Sequence, residues 1–163
     1  MEGSDDHETC AQGAGFEPNL LMANARNIFS DALVQHPKVS DEDVIVRDPG
    51  TVIKIWGYTL PGVGGYESDD VAKVKNIRDE VLNRPGWNDI TAVENNKVYA
   101  FYNNLIMGSQ HFIGIAYLAK IFYPKDYPDL DPKAIHQEYL TRFQHLDYDL
   151  DKHGVFVYPP LEE

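Results

Sequence analysis

The sequence predicts an α/β fold, a single three-layer αβα lobe with a mostly parallel central sheet. Three observations predict it. Two β-branched and aromatic runs, residues 51–56 (TVIKIW) and 97–102 (KVYAFY), are bounded by turn residues and read as strands. Each is followed by a glycine-containing loop and then by a helical apolar stripe, the strand–loop–helix order of half a βαβ unit. The length of 163 residues fits one domain.

Residues 1–18 (MEGSDDHETCAQGAGFEP) are acidic and small with no hydrophobic period, and are expected to form a flexible acidic tail, leaving 19–163 as the folded lobe. Leu21, Ala25, Ile28, Phe29, Ala32 and Leu33 recur at three- and four-residue steps, which predicts a helix over 19–35 ending before Pro37. Ser40 followed by Asp-Glu-Asp reads as a capped short helix to about residue 47, closed by the turn Asp48-Pro49-Gly50. After the first strand, Ser68 is the expected cap of a helix carrying Val71, Val74, Ile77, Val81 and Leu82.

Residues 87–93 read as a short helical turn before the second strand. The helix predicted over 109–122 is apolar on nearly every side and so should be buried. Asp131-Pro132 starts another, which Ile135, Tyr139, Leu140 and Phe143 continue to about residue 144. A short strand is expected within 155–158.

Fourteen Lys and Arg against 26 Asp and Glu leave a formal charge of −12, which repels phosphate backbones and argues against nucleic acid as a partner. The single cysteine, Cys10, excludes an intrachain disulfide and a cysteine-based zinc cluster. The N-terminus lacks the basic start and apolar run of a signal peptide, and no stretch approaches the length of a transmembrane helix.

Familiar motifs fail on inspection. Gly62, Gly64 and Gly65 lie between a strand and a helix, but a dinucleotide fingerprint would need glycine where Glu67 stands. Asp147, Asp149 and Asp151 alternate like a calcium loop, yet Lys152 and Tyr158 occupy the positions that need glycine and glutamate. The six histidines form neither an HExxH motif nor an i, i+4 pair, so no intrinsic metal or cofactor is expected. No nucleophile motif is present, and the chain is not expected to be an enzyme.

What remains are the two loops after the strands, 57–67 and 103–110. In open α/β sheets, ligands bind outside the carboxyl ends of the strands. With the residues that flank them, these loops carry Trp56, Tyr58, Tyr66, Tyr102, Asn103, Asn104, Met107, Gln110 and His111, a mixture of aromatic area and a few polar groups suited to a small-molecule site.

Three stretches carry a family resemblance. RPGWNDITAVENNKVY (84–99) resembles the P-x-W-x-x-I-x-A-V-x-x-x-R/K-V-Y passage of the helical-backbone substrate-binding proteins of metal-chelate ABC importers. IGIAYLAKIFYPKDYPDLDPKAIHQEYLTRF is similar to the closing segment of their iron(III)-transport members, and KVSDEDVIVRDPGTVIKIWG to the entry of their C-terminal lobe. The match runs from about Asn24 to Tyr158.

The resemblance implies a C-terminal lobe whose ligand is an iron chelate such as a ferric siderophore, haem or cobalamin. The family's N-terminal lobe has no counterpart before Leu20 and would be supplied in cis or in trans. The resemblance also implies an extracytoplasmic location and docking on a membrane permease through an acid on the outer face. Gly108 and Ser109 stand where that acid would be sought first, and Glu67 is a weak substitute for it. The alternative is a protein-interaction domain that keeps the fold and binds no small ligand.

Overall fold

The structure, a computed structural model, describes residues 1–3, 7–57 and 60–161. Its sheet has the order β1-β2-β3. β1 (Val52–Trp56) and β2 (Val98–Tyr102) are parallel and in register, Val52 beside Val98 and Trp56 beside Tyr102. β3 (Val157–Tyr158) is antiparallel to β2. The fold is mixed α/β: the β1–β2 pair is parallel, as the strand–loop–helix order predicts, and the β2–β3 pair is antiparallel. β3 is shorter than the run expected, because Val155 leaves the ladder to bridge Gly65.

Successive side chains of a strand point to opposite faces, and both faces of β1 are buried. On one face Val52 and Val98 pack with Val81 of α3 (Val71–Leu82), and Arg78 of that helix donates from Nε to the Val98 carbonyl at 2.7 Å. On the other, Phe101 meets Tyr117 of α5 (His111–Phe122) edge-on at 6.2 Å. Helix, sheet and helix form the three layers. Among the described residues, no helix is long and apolar enough to cross a membrane.

Caps set several helix boundaries. Ser40 and Asp43 form a reciprocal capping box at the start of α2 (Asp41–Arg47), as expected. α3 begins later than predicted: Asp70, not Ser68, is the cap and accepts from Ala72 N at 3.0 Å, while Ser68 holds the Asp70 N–H. Between α3 and β2 lie a 3-10 turn (Trp87–Asp89) and α4 (Thr91–Glu94). α6 (Pro132–Glu138) is capped by Asp131 and runs on into a π-helical turn, Tyr139–Phe143.

The N-terminal third departs from expectation twice. α1 is only Glu17–Met22. Asn24 turns left-handed at φ 53, and Asn27 spends its side chain on the Cys10 carbonyl and the Phe29 N–H, so the backbone between them follows turns rather than a long helix. The periodic apolar positions of 19–35 therefore separate: Phe29 is buried, Leu33 fully exposed.

The second correction concerns the acidic tail, whose described residues pack on the body. Cys10, Ala11, Ala14 and Phe16 are buried, and Glu2 lies beside β1, bridging Lys54 in parallel. Its carboxylate meets Lys54 at 2.9 Å and Arg84 at 2.6 Å, so opposite charge joins the apolar packing of Cys10, Ala14 and Phe16 in tying this segment down. Burial pushes the Glu2 pKa up, but the two cations outweigh it and hold the acid below its ordinary value.

Candidate functional site

Because β1 and β2 are parallel and in register, Trp56 and Tyr102 end side by side on one rim of the sheet, ring centroids 4.8 Å apart. Three connections converge there: the one leaving β1, the one leaving β2, and the approach to β3. The last is tied in by the hydrogen bonds Tyr102 N to Phe156 O (2.8 Å) and Gly65 N to Val155 O (2.7 Å). The β1 connection folds back over the strand ends. At Gly64 a Cβ would strike the Trp56 ring and the Val155 carbonyl, and at Gly65 the Tyr102 ring, both at positive φ. These glycines are required by close approach and not by a phosphate.

The consequence is a rim with a floor and a surface. Trp56 (1% exposed), Tyr102 (9%) and Asn103 are the floor, covered by the folded-back loop. Tyr66 stands on that floor, edge-on to Tyr102 (6.4 Å), Phe156 (4.7 Å) and Tyr148 (5.4 Å), and is partly exposed. Leu60 on the β1 connection, Met107 on the β2 connection and Phe112 in the first turn of α5 are exposed apolar side chains. Tyr102, Asn104 and Gln110 form a relay: Asn104 Nδ2 donates to Tyr102 Oη at 3.1 Å, and Gln110 Nε2 to the Asn104 carbonyl at 3.1 Å. His111 opens α5 with Nδ1 3.1 Å from the Gly108 carbonyl. Tyr58 lies outside the described residues.

Sequence reasoning missed His136, Tyr148 and Phe156. His136 is fully buried, with Nε2 2.5 Å from Tyr66 Oη, and its burial lowers its pKa to about 4, so the ring is neutral. Burial and the neighbouring tyrosines push the Tyr66 phenol well above its ordinary range. A signal for His136 was present: Pro132, His136 and Leu140 recur every four residues and are the buried positions of α6 and its π-helical extension.

The floor also holds buried polar atoms with no hydrogen-bond partner. Among the described residues these are Trp56 Nε1, Asn103 Nδ2 and His136 Nδ1, and all three lie on or next to this rim. No group of three metal-ligating side chains occurs among the described residues. Asp149 instead pairs with Lys152 at 2.7 Å and Asp151 with Lys133. Glu67 is exposed and accepts from Gly62 N at 2.8 Å. The arrangement has aromatic area and hydrogen-bonding groups, which suits holding a ligand.

Comparison with known proteins gives the fold independently. No protein-family model matches the chain, and no curated protein matches it. Among solved structures it is similar to the TroA-like periplasmic binding protein FepB of Veillonella parvula, at 27% identity and a TM-score of 0.76 over 92% of this chain. It is also similar to the molybdate-bound MolA of Haemophilus influenzae (20%, 0.66, over 91%) and to Helicobacter pylori CeuE with Ni(II) bound (18%, 0.69, over 90%).

The chain spans 43%, 42% and 44% of those three chains, less than half of each. It has the fold of one lobe of a periplasmic binding protein, and the likeness extends beyond the stretch from Asn24 to Tyr158 that carried the resemblance in sequence.

Proposed function

We propose that this chain, with its single periplasmic-binding-protein lobe, is the ligand-binding half of a substrate-binding protein serving an ABC importer outside the cytoplasm. Its ligand is a metal chelate: a ferric siderophore, haem or cobalamin. The observation that carries the proposal is the register of Trp56 on Tyr102, which brings two aromatic-bearing connections out of one rim. Crevices outside the carboxyl ends of parallel strands are where α/β folds receive ligands. The similar solved structures are solute-binding proteins, one with molybdate and one with nickel bound.

On this reading the chelate rests on Leu60, Met107 and Phe112, with Asn104 and Gln110 for hydrogen bonding and Tyr66 at the edge. A second lobe covers the other side, and the closed pair docks on the permease. One lobe buries less than the roughly 70–90% of ligand surface typical of a closed pocket, so the chain alone binds in the micromolar range or weaker. Titration with a ferric hydroxamate, haem and cobalamin, followed by tryptophan fluorescence, tests this. Saturable quenching is expected, lost in Trp56→Phe and kept in Trp87→Phe, because only Trp56 lies at the rim. A folded chain that responds to none of the three overturns the proposal.

The other reading, a protein-interaction domain, draws on the same exposed side chains. It predicts a stable dimer or partner complex by sedimentation and no response to any chelate.

A further inference from the structure

The charges of the rim bear on which chelate it accepts. Residues 57–70, the connection leaving β1, contain Glu67, Asp69 and Asp70 and no lysine or arginine. Residues 103–110, leaving β2, contain no charged side chain at all. The approach to β3 brings Asp147, Asp149 and Asp151 against a single cation, Lys152.

The structure gathers these three segments at one edge. Asp69 accepts from Gly154 N at 2.6 Å and lies 3.1 Å from His153 Nδ1, which fixes the β1 connection against the approach to β3. Those contacts, the Gly154 N–H first, hold the Asp69 carboxyl below its ordinary range. Tyr148, which packs on Tyr66, belongs to an open hollow of about 510 Å³ that is also lined by Asp147, Asp149 and Asp151.

The nearby ammonium groups are engaged on the protein. Lys152 is held by Asp149 at 2.7 Å, Lys133 by Asp151, and Lys73 of α3 points to the Gly62 carbonyl at 3.4 Å. A bound anion needs charge-assisted donors, and an arginine fork is the usual means. This rim supplies amide, phenol and imidazole groups, with no arginine, inside an acidic surround.

We infer that this lobe selects ligands without net negative charge, neutral or cationic chelates, and rejects anionic ones. The inference rests on the proposed binding role and sharpens it. Three hydroxamate groups cancel the charge of ferric iron, whereas three catecholates leave the complex a trianion. Of the chelates proposed above, neutral ferric hydroxamates and corrinoids fit, and haem with its propionates does not.

The probes are three complexes of one metal: a neutral ferric trihydroxamate, a trihydroxamate bearing a free amine and hence a single positive charge, and a ferric tris-catecholate. Each is measured by equilibrium dialysis against the folded chain at low and at physiological salt. The cationic complex should bind at least as tightly as the neutral one, and the tris-catecholate about tenfold more weakly or worse, with the gap shrinking as salt screens it. Ser109→Lys, which places an ammonium on the exposed entry to α5, should raise tris-catecholate affinity and lower that of the cationic complex.

A tris-catecholate that binds as tightly as the neutral complex overturns the inference while leaving the binding role standing. Failure of all three to bind overturns the binding role and the inference together.

Discussion

The two tryptophans sit in regions built on opposite principles. Both are 1% exposed. Trp87 donates from Nε1 to Asp41 at 2.7 Å, lies under the Arg84 guanidinium at 4.8 Å, and borders the ion pairs of Glu2 with Lys54 and Arg84. Trp56 packs on Tyr102 and gives its N–H to nothing among the described residues. One region spends its polar groups on holding the chain together; the other keeps some in reserve beneath a loop. A buried donor left unmade costs about 1–3 kcal/mol, a cost that the Trp56 region carries and the Trp87 N–H does not.

The comparison is put under most strain at Glu2. Glu2→Ala withdraws a largely buried carboxylate that meets both Lys54 and Arg84, and a hydrogen bond to a charged group is worth about 1.5–3 kcal/mol. Urea denaturation should show a loss near the lower figure. A change under about 1 kcal/mol would mean that the N-terminal segment does not seat beside β1 as described, and the contrast between the two regions would lose one of its sides.

Acid should expose the rim next. His136 is neutral in the folded chain with a pKa of about 4, below the ordinary value of 6.5. The unfolded chain therefore binds more protons between those values, and stability falls with falling pH across that window. The contribution is intact above pH 6.5 and its loss totals about 3 kcal/mol by pH 4. Glu2, with its pKa held down, adds a loss only at lower pH, below the ordinary carboxylate range. Unfolding midpoints followed from pH 7 to pH 4.5 should slope downward in the parent and less steeply in His136→Gln, the buried Met1 amine, whose pKa is also lowered, keeping part of the slope. Equal slopes in both would remove His136 as the source.

How much of this was legible in the chain varies with the physics involved. The strands, the Ser40 and Asp131 caps and the buried α5 were readable because propensity, period and capping agree there with the tertiary structure. The long helix over 19–35 was a false reading, since Asn24 and Asn27 offer the backbone local alternatives that an apolar period does not register. Burial of the N-terminal segment leaves no periodic signal because it depends on contacts distant in sequence: Glu2 with Lys54 and Arg84, 52 and 82 residues away, and the packing of Cys10, Ala14 and Phe16 in the core.

At the candidate site, the place of Trp56, Tyr66 and Tyr102 at or after strand ends predicts that they lie near one another, and their rings are in contact. That Trp56 and Tyr102 would form a covered floor rather than an open surface was not legible, because it turns on Gly64 and Gly65 letting the loop fold back onto the rings. His136 follows a four-residue period with Pro132 and Leu140, but a histidine among polar positions does not register as a core residue.

The smallest expected effect separates the two regions most directly. Trp56→Phe and Trp87→Phe delete the same atoms from equally buried sites, so their cavity and transfer costs largely cancel in the difference. What is left is the hydrogen bond. Trp87→Phe takes a donor from the Asp41 carboxylate, a bond to a charged group worth about 1.5–3 kcal/mol, whereas Trp56→Phe removes a donor that was already unpaired. Trp87→Phe should therefore be the more destabilising of the two, by about 1–2 kcal/mol. Equal losses would show that the Trp56 N–H is satisfied in solution, and the rim would then be as fully spent on structure as the opposite region.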